Sequence, residues 1–391
     1  MVKMGVSVYP DKSSMKEIEE YLRLASKYGF TKVFSSMFSV DQSKKSLISE
    51  FSKFTKIAKQ YGLSVTLDVN PELFEFLEVP SHDLSLFNQL GVDVLRMDIP
   101  FFDRRNIDLL NNQYGIKIEF NAMITSIMGK LLQEDIKKEN LSVSFNFYPQ
   151  QYTGISAHSY QEMKKIWNSA EVPVGVFISS QKKGTMGPWD VSDGLPTLEE
   201  HRHLPIDLQL RHLILMGGVD EIMIGNAFAS EQEFQSISET LTILKEESIK
   251  TVKSTKLEFP YSMAKSTHKK AILSINVEED ISALENEILF DYPAHYDAGD
   301  GTEYMLRSRF PRITYKEVKI QYRPTEKEYF ELGDVVIVNT NLPHYQAEVQ
   351  IVLKPIRVDG QRNYLGSIAT EELFLLNYIN ARDVFVFRTI V

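Results

Sequence analysis

Three carboxylates, Asp68, Asp98 and Glu119, lie at or near the ends of short apolar runs in the first third of the chain. Cleavage of a glycosidic bond needs one carboxyl that donates a proton and a second group that stabilises or attacks the reacting carbon. Amide and phenol side chains close nearby runs. The catalytic candidates are Asp68, Asp98 and Glu119, and the accompanying polar candidates are Tyr9, Asn121, Asn146 and Tyr148.

Each carboxylate also has a structural interpretation. Asp68, before Val69, could cap a turn between a strand and a helix. Asp98 could form a structural ion pair with Arg96, two residues earlier on the same strand face. Glu119 lies one pleat deeper than Asn121 and could be a satisfied interior group. Burying several polar groups at one place costs free energy unless they are paired, which favours the functional interpretation.

A polar segment follows the seventh apolar run, after the loop that begins near Gln181. Thr197 is predicted to be the N-cap of a helix, and Glu200 would then complete a capping box rather than act in catalysis. His201 and Arg202 would lie near the start of that helix and would suit contacts with an anion or a sugar.

Several familiar motifs are missing from the chain. It has no cysteine, so disulfides and thiolate metal sites are excluded. HExxH, Walker A and GxGxxG sequences are absent, and the histidines are scattered. We therefore expect no metal site and no cofactor, and the remaining chemistry is that of carboxylates.

Eight short apolar runs in the first 230 residues are predicted to be strands. Amphipathic helical stretches such as Ser14–Tyr28 separate most of them, with Ser14 and Glu17 at capping-box spacing. Alternation of strands and helices indicates parallel pairing, and eight units favour a closed (β/α)8 barrel, a TIM barrel, over an open sheet. The runs are Met4–Tyr9, Lys32–Met37, Ser64–Val69, Val94–Asp98, Lys117–Ala122, Ser142–Tyr148, Pro173–Ser179 and Glu221–Asn226.

The pattern changes after about residue 250, where the residues are typical of a small, mostly antiparallel β domain. One strand and a short helix are expected between Ile272 and Phe290. Further strands are expected at Val318–Tyr322, Asp334–Val338, Glu348–Val352 and Val384–Phe387. We place a barrel domain at residues 1–245 and a β-rich domain at residues 246–391.

The formal net charge of −10 argues against a nucleic-acid partner. The N-terminal residues lack the apolar run of a signal peptide, and no segment has 18 uninterrupted apolar residues, so cytoplasmic localisation without a membrane partner is expected. Self-association into a homo-oligomer is left open.

Several short segments together resemble the 6-phospho-N-acetylmuramidases, bacterial glycoside hydrolases that were long catalogued as a domain of unknown function and sometimes labelled outer surface protein. The likeness covers essentially the whole chain. Its segments are Gly5–Pro10, Tyr28–Phe30, Val33–Ser36, Asp68–Pro71, Leu95–Asp98, Asn121-Ala122, Asn146–Pro149, Thr153-Gly154, Gly194–Arg202, Arg307-Ser308, Gly333–Ile351 and Asp359–Gly366.

The resemblance implies cleavage of the β-1,4 bond between 6-phospho-N-acetylmuramic acid and N-acetylglucosamine during peptidoglycan recycling. It also implies a cyclophilin-like C-terminal domain and a phosphorylated amino-sugar disaccharide as the ligand. Glu199, His201 and Arg202 belong to one shared segment and become substrate-binding candidates. Arg202 and Arg307 are candidates for the 6-phosphate, because an arginine fork matches two phosphate oxygens; Arg362 is a third.

Two other classes of function fit a barrel with polar strand ends. A phosphosugar isomerase, epimerase or aldolase usually needs a lysine or a metal at a strand end, and no predicted strand end carries a lysine. A non-catalytic carbohydrate-binding protein would use the same opening without turnover.

Overall fold

The computed structural model describes residues 2–36, 43–245, 269–293, 295–297, 299, 302–380 and 382–390. The chain folds into two compact units. One unit contains residues 1–210 and 218–240, and the other contains residues 211–217 and 241–391.

The first unit contains a closed barrel of eight parallel strands in sequential order, as the sequence predicts. Most of the strands end slightly earlier than predicted, so Asp98, Asn146 and Tyr148 lie in the loops that follow them; Met37 lies outside the described residues. The strands are β1 (Lys3–Ser7), β2 (Lys32–Ser36), β3 (Ser64–Val69), β4 (Val94–Met97), β5 (Lys117–Asn121), β6 (Leu141–Ser144), β7 (Val174–Ile178) and β8 (Glu221–Ile224).

Helices connect successive strands of the barrel. They are α1 (Met15–Lys27), α2 (Lys44–Gln60), α3 (Pro71–Leu77), α4 (Ser85–Gln89), α5 (Arg105–Leu110), α6 (Thr125–Leu131), α7 (Ala157–Ser169), α8 (Ile206–Met216) and α9 (Glu231–Lys245). The predicted capping box of α1 is present, with Ser14 and Glu17 bonding each other's backbone N–H. Gly29 follows the end of α1 with φ of 82°, a left-handed conformation that costs glycine little.

The predicted N-cap at Thr197 is wrong. Its hydroxyl accepts from the backbone N–H of Phe177 and donates to the carbonyl of Asn146, so it ties β7 to the loop after β6. A short 3₁₀ helix, Glu199–His201, follows without a side-chain cap, which also removes the capping-box interpretation of Glu200. The next α-helix after this segment is α8, which begins at Ile206.

The second unit contains a seven-stranded, mostly antiparallel sheet in the order β10-β17-β9-β16-β13-β14-β11 and a separate pair, β12 and β15. Among the described strands of that sheet, only β17 and β9 pair in parallel. Its elements are β9 (Lys270–Val277), α10 (Ala283–Phe290), β10 (His295–Tyr296), β11 (Met305–Ser308), α11 (Pro311–Thr314), β12 (Tyr329–Phe330), β13 (Asp334–Val338), β14 (Val349–Val352), β15 (Ile356–Arg357), β16 (Arg362–Ile368) and β17 (Val384–Thr389).

The strand and helix expected between Ile272 and Phe290 are β9 and α10. The prediction of a strand at Val318–Tyr322 is wrong, because backbone groups of this segment form hydrogen bonds with side chains instead of with a neighbouring strand. Gln346 donates to the carbonyl of Val318 and accepts from the N–H of Ile320, so no neighbouring strand pairs here.

Candidate active site

The carboxylates predicted for catalysis meet around one guanidinium group, that of Arg96 on β4. Strand register places Asp68 of β3 and Glu119 of β5 on either side of Arg96. Partners in register share a face of the sheet, and here that face is the inside of the barrel. The strand register therefore brings these side chains together inside the barrel.

Asp68 lies directly against this guanidinium, with 2.8 Å between its Oδ1 and Nη1 of Arg96. Burial raises the pKa of Asp68 from 3.8 to about 6, and the neighbouring Asp98 and Glu119 add to the rise, although Arg96 opposes it. Its second oxygen makes no hydrogen bond within the described residues. Asp68 is thus a carboxyl that can hold a proton near neutral pH.

Asp98 lies further out than Asp68, and its side chain is 36% exposed. Its Oδ1 accepts a hydrogen bond from the amide of Asn121 at 3.0 Å and lies 3.4 Å from Nη2 of Arg96. The amide oxygen of Asn121 accepts from the backbone N–H of Met123, which fixes the orientation of this amide. Asp98 is therefore both oriented and accessible.

Glu119 lies deeper in the barrel than the other two carboxylates. One oxygen is 3.4 Å from the ammonium of Lys32 and the other is 3.8 Å from Nε of Arg96, and the side chain is 5% exposed. Lys32 also pairs with Glu221. This arrangement is that of a buried, compensated charge cluster beneath the opening, so its geometry favours support of Arg96 over contact with a sugar.

Two side chains from β6 and its following loop complete the surroundings of Arg96. Ser144 accepts from Nε at 2.9 Å, and the amide oxygen of Asn146 accepts from Nη2. The amide nitrogen of Asn146 has no partner among the described residues. Ser144 was missed in the sequence, although it lies two residues before Asn146 and therefore shares its side of the segment.

Tyr148 lies at the edge of the same group. Burial raises the pKa of its phenol, and the charge of Asp98 raises it further. The phenol therefore lies close enough to Asp98 to be affected by its charge. Tyr9, in contrast, is fully buried and donates to the carbonyl of Gly225 at 2.6 Å, which links β1 to the end of β8.

Glu199 and Arg202 form a clamp beneath the loop that carries Tyr148. Both guanidinium edges are occupied: Nε and Nη2 bind Glu199 at 2.7 and 2.6 Å, and Nη1 donates to the carbonyls of Tyr148 and Asp193. Glu199 also accepts from the backbone N–H groups of Tyr152 and Gly154, each at 2.8 Å.

The pKa of Glu199 is lowered to about 2, and the hydrogen bonds from Arg202 are the largest cause. A side chain at Gly154 would collide with Glu199, since an added Cβ would lie 2.7 Å from its carboxylate. His201 is buried within the intervening 3₁₀ helix. In the described structure the segment from Glu199 to Arg202 orients the loop, and direct contact of these side chains with substrate stays a prediction.

Arg307, the other arginine predicted to bind phosphate, lies on β11 in the second unit. Its guanidinium contacts the fully buried carboxylate of Glu348 at 2.7 and 3.1 Å. A phosphate contact by Arg307 likewise stays a prediction.

An exposed aromatic residue that the sequence did not single out stands near the opening. Trp189, in the loop after β7, is 59% exposed, and its ring centroid is 6.3 Å from that of Phe147. Phe147 in turn packs edge-on against Phe34 and Phe177, whose strand positions face the barrel interior. A large aromatic side chain left exposed in a loop of the opening could stack on a sugar ring.

Among the described residues, no group of three or more histidine, aspartate or glutamate side chains is arranged to hold a metal ion. Within the same ranges, no helix is both long enough and apolar enough to span a bilayer.

Comparison with known proteins shows the family of the chain. Residues 4–239 match the model of the 6-phospho-N-acetylmuramidase N-terminal domain, and residues 271–388 match that of the C-terminal domain. The chain belongs to the 6-phospho-N-acetylmuramidase family. The matched ranges include every barrel strand except the first residue of β1, and with them the whole cluster around Arg96.

Two solved structures resemble the chain over nearly its whole length. An uncharacterized B. cereus protein is 32% identical with a TM-score of 0.83, covering 99% of this chain and 100% of that one. A conserved protein of unknown function from Enterococcus faecalis is 21% identical with a TM-score of 0.68, covering 99% and 96%, and it supports the fold alone. Among curated proteins, no match was found.

Proposed function

We propose that this protein hydrolyses the β-1,4 bond of 6-phospho-N-acetylmuramyl-N-acetylglucosamine. The observation that carries the proposal is the pair Asp68 and Asp98 on one guanidinium at the barrel opening, in a chain of the 6-phospho-N-acetylmuramidase family. Active sites of such barrels lie at the C-terminal ends of the strands, where both aspartates stand.

The two aspartates differ in the way that glycosidic cleavage requires. Asp68, whose pKa is raised to about 6, is suited to protonate the leaving oxygen. Asp98, partly exposed and accepting hydrogen bonds from Asn121 and Arg96, is suited to stabilise or attack the anomeric carbon, or to orient the 2-acetamido group if that group attacks. Glu119 then positions Arg96 from below.

Sugar recognition is assigned to groups that surround Asp98. The unpartnered amide nitrogen of Asn146 can donate to a hydroxyl or an acetamide oxygen, and Asn121 and the phenol of Tyr148 border the same carboxylate. Glu199 and Arg202 hold the Tyr148 loop in place. No metal or organic cofactor enters the reaction.

The 6-phosphate requires a cation. Arg307 is the candidate in the second unit, and a cavity of about 430 Å³ beside Arg202 adds Lys182 and Lys183 in the first. Replacing Arg307 with alanine should raise the KM of phosphorylated substrate far more than that of an unphosphorylated analogue. Equal effects on both substrates would count against Arg307 as the phosphate ligand.

The biological setting also belongs to the proposal. A disaccharide phosphorylated by a sugar phosphotransferase system appears inside the cell, so the enzyme would act in the cytoplasm in peptidoglycan recycling. A cyclophilin-like fold is proposed for the second unit.

The decisive experiment incubates the purified protein with the phosphorylated disaccharide and measures free N-acetylglucosamine. Release of this sugar by the wild type and its loss in Asp98→Asn supports hydrolysis. Isomerisation or carbon–carbon cleavage of a phosphosugar would instead indicate the other enzyme class, and saturable binding without any product would indicate a carbohydrate-binding protein.

A further inference from the structure

The second unit has a cavity of about 430 Å³ on one face of its seven-stranded sheet. Register places Arg307 opposite Gln350, and Gln350 opposite Val336, so these side chains share a face. Val338, two residues beyond Val336, has Arg362 opposite it. Arg307, Gln350, Val338 and Arg362 all line the cavity, so its floor is the sheet itself.

A buried polar chain fixes two arginines in this cavity. Arg307 binds the carboxylate of Glu348, Glu348 accepts from the amide of Gln350 at 2.8 Å, and Gln350 accepts from Nε of Arg362 at 2.7 Å. Glu348 and Gln350 are 0% and 3% exposed. Buried polar groups that are fully paired are rigid, so the arginines are held in place before any ligand arrives.

Two guanidinium groups at the outer side of the cavity have N–H donors available for a ligand. The side chain of Arg357 lines the cavity and makes no hydrogen bond or ion pair within the described residues. Arg362 binds Asp359 through Nη1, whereas its Nη2 has no described partner. These donors are suited to the oxygens of a phosphate group.

Apolar and aromatic surface borders the same donors. Tyr304, which is 46% exposed, and Tyr345 line the cavity together with Ile356. Aromatic faces beside fixed polar donors are suited to a sugar ring, and the volume lies within the range of small-ligand sites.

We infer that this cavity binds a sugar phosphate, with Arg357 and Arg362 on the phosphate and the tyrosines on the ring. The site lies wholly within the second unit, and the inference does not depend on hydrolysis at the barrel opening.

The test uses the full-length protein and N-acetylglucosamine 6-phosphate, which has no glycosidic bond to cleave. Arginines are modified with phenylglyoxal with and without this sugar phosphate, and the modified peptides are quantified by mass spectrometry. Saturable protection of Arg357 and Arg362 is expected, with weaker protection by inorganic phosphate and none by N-acetylglucosamine. Absence of protection at both arginines overturns the site, and equal protection by inorganic phosphate overturns its assignment to a sugar.

Calorimetric titration of variants provides the second arm. Arg357→Ala should weaken binding at this site about tenfold, the value of one charged hydrogen bond. Lys319→Ala, which removes an exposed cation of the same unit outside the cavity, should leave the affinity unchanged. Equal losses in the two variants would show a general charge effect and would overturn the proposal.

Discussion

Asp68 and Asp98 are held by different nitrogens of one guanidinium, with their oxygens 2.8 Å and 3.4 Å from Nη1 and Nη2 of Arg96. A single side chain therefore sets the relative position of both carboxyl groups. Their environments nevertheless differ, since Asp68 is buried whereas the side chain of Asp98 is 36% exposed. Two carboxyl groups with unequal environments are what acid–base chemistry on one substrate requires.

Asp98→Asn should abolish most turnover, because the accessible carboxylate is lost while its size and its position beside Asn121 are kept. We expect a fall of roughly 10²–10⁴-fold in kcat, the usual contribution of such a group. Release of N-acetylglucosamine measures the effect, and the thermal unfolding midpoint should be nearly unchanged. Asp103→Asn, an exposed aspartate in the following loop, is the matched control. Near-normal activity of Asp98→Asn would reject the catalytic assignment.

Asp68 should make stability depend on pH between about 4 and 6. Its folded pKa of about 6 lies above its ordinary 3.8, so the folded state retains the proton over a range in which the unfolded chain loses it. Wild type should therefore lose stability relative to Asp68→Asn as pH rises through this window, by up to about 3 kcal/mol, and the difference should be constant above it. Urea unfolding at several pH values measures this. A pH-independent difference would contradict the raised pKa.

Glu199→Gln should destabilise the clamp beneath the Tyr148 loop, because it leaves the buried Arg202 without its charge partner. We expect a loss of about 3 kcal/mol at neutral pH. The pKa of Glu199 is lowered to about 2, so the advantage of wild type is complete above about pH 4.5 and declines as pH falls toward 2. Unfolding free energies at pH 7 and pH 3 provide the measurement. The exposed Glu134 provides the control variant Glu134→Gln, which should change neither value.

Trp189→Ala should raise KM about tenfold with little change in kcat, since this ring contributes binding surface and no reacting group. Steady-state hydrolysis of the phosphorylated disaccharide separates the two parameters. Tyr322→Ala removes a similarly exposed aromatic ring from the second unit and should leave both unchanged. A fall in kcat alone would show that Trp189 does not act through substrate binding.

The barrel could be predicted because its strands and helices follow two different apolar periods along the chain. Convergence of Asp68, Arg96 and Asp98 followed from period-two geometry at strand ends. The depth of each side chain within the barrel could not be predicted from the sequence. The alternation of residues along a strand defines the face on which a side chain lies, but not how exposed that side chain is. Tyr9, for example, lies just beyond the end of β1 and is fully buried, with its hydroxyl donating to the carbonyl of Gly225.

Partners from distant loops explain the remaining errors. Thr197 is a residue type that often caps helices. Its hydroxyl instead accepts a hydrogen bond from the N–H of Phe177 and donates one to the carbonyl of Asn146, and no local sequence pattern reveals these partners. The ion pair of Glu199 and Arg202 did have a local signal, namely opposite charges three residues apart.

The parallel pairing of β9 with β17 has a consequence for biogenesis. Lys270 pairs with Val384, so β9, the first strand of this sheet along the chain, pairs with a strand that is synthesised more than one hundred residues later. In the sheet, β17 also lies between β9 and β10. On the ribosome, β9 and β10 emerge long before the segment that joins them. We therefore expect the second unit to acquire its sheet after its synthesis, whereas β1 to β7 of the barrel can pair in chain order as the nascent chain lengthens, before β8 closes the barrel against β1.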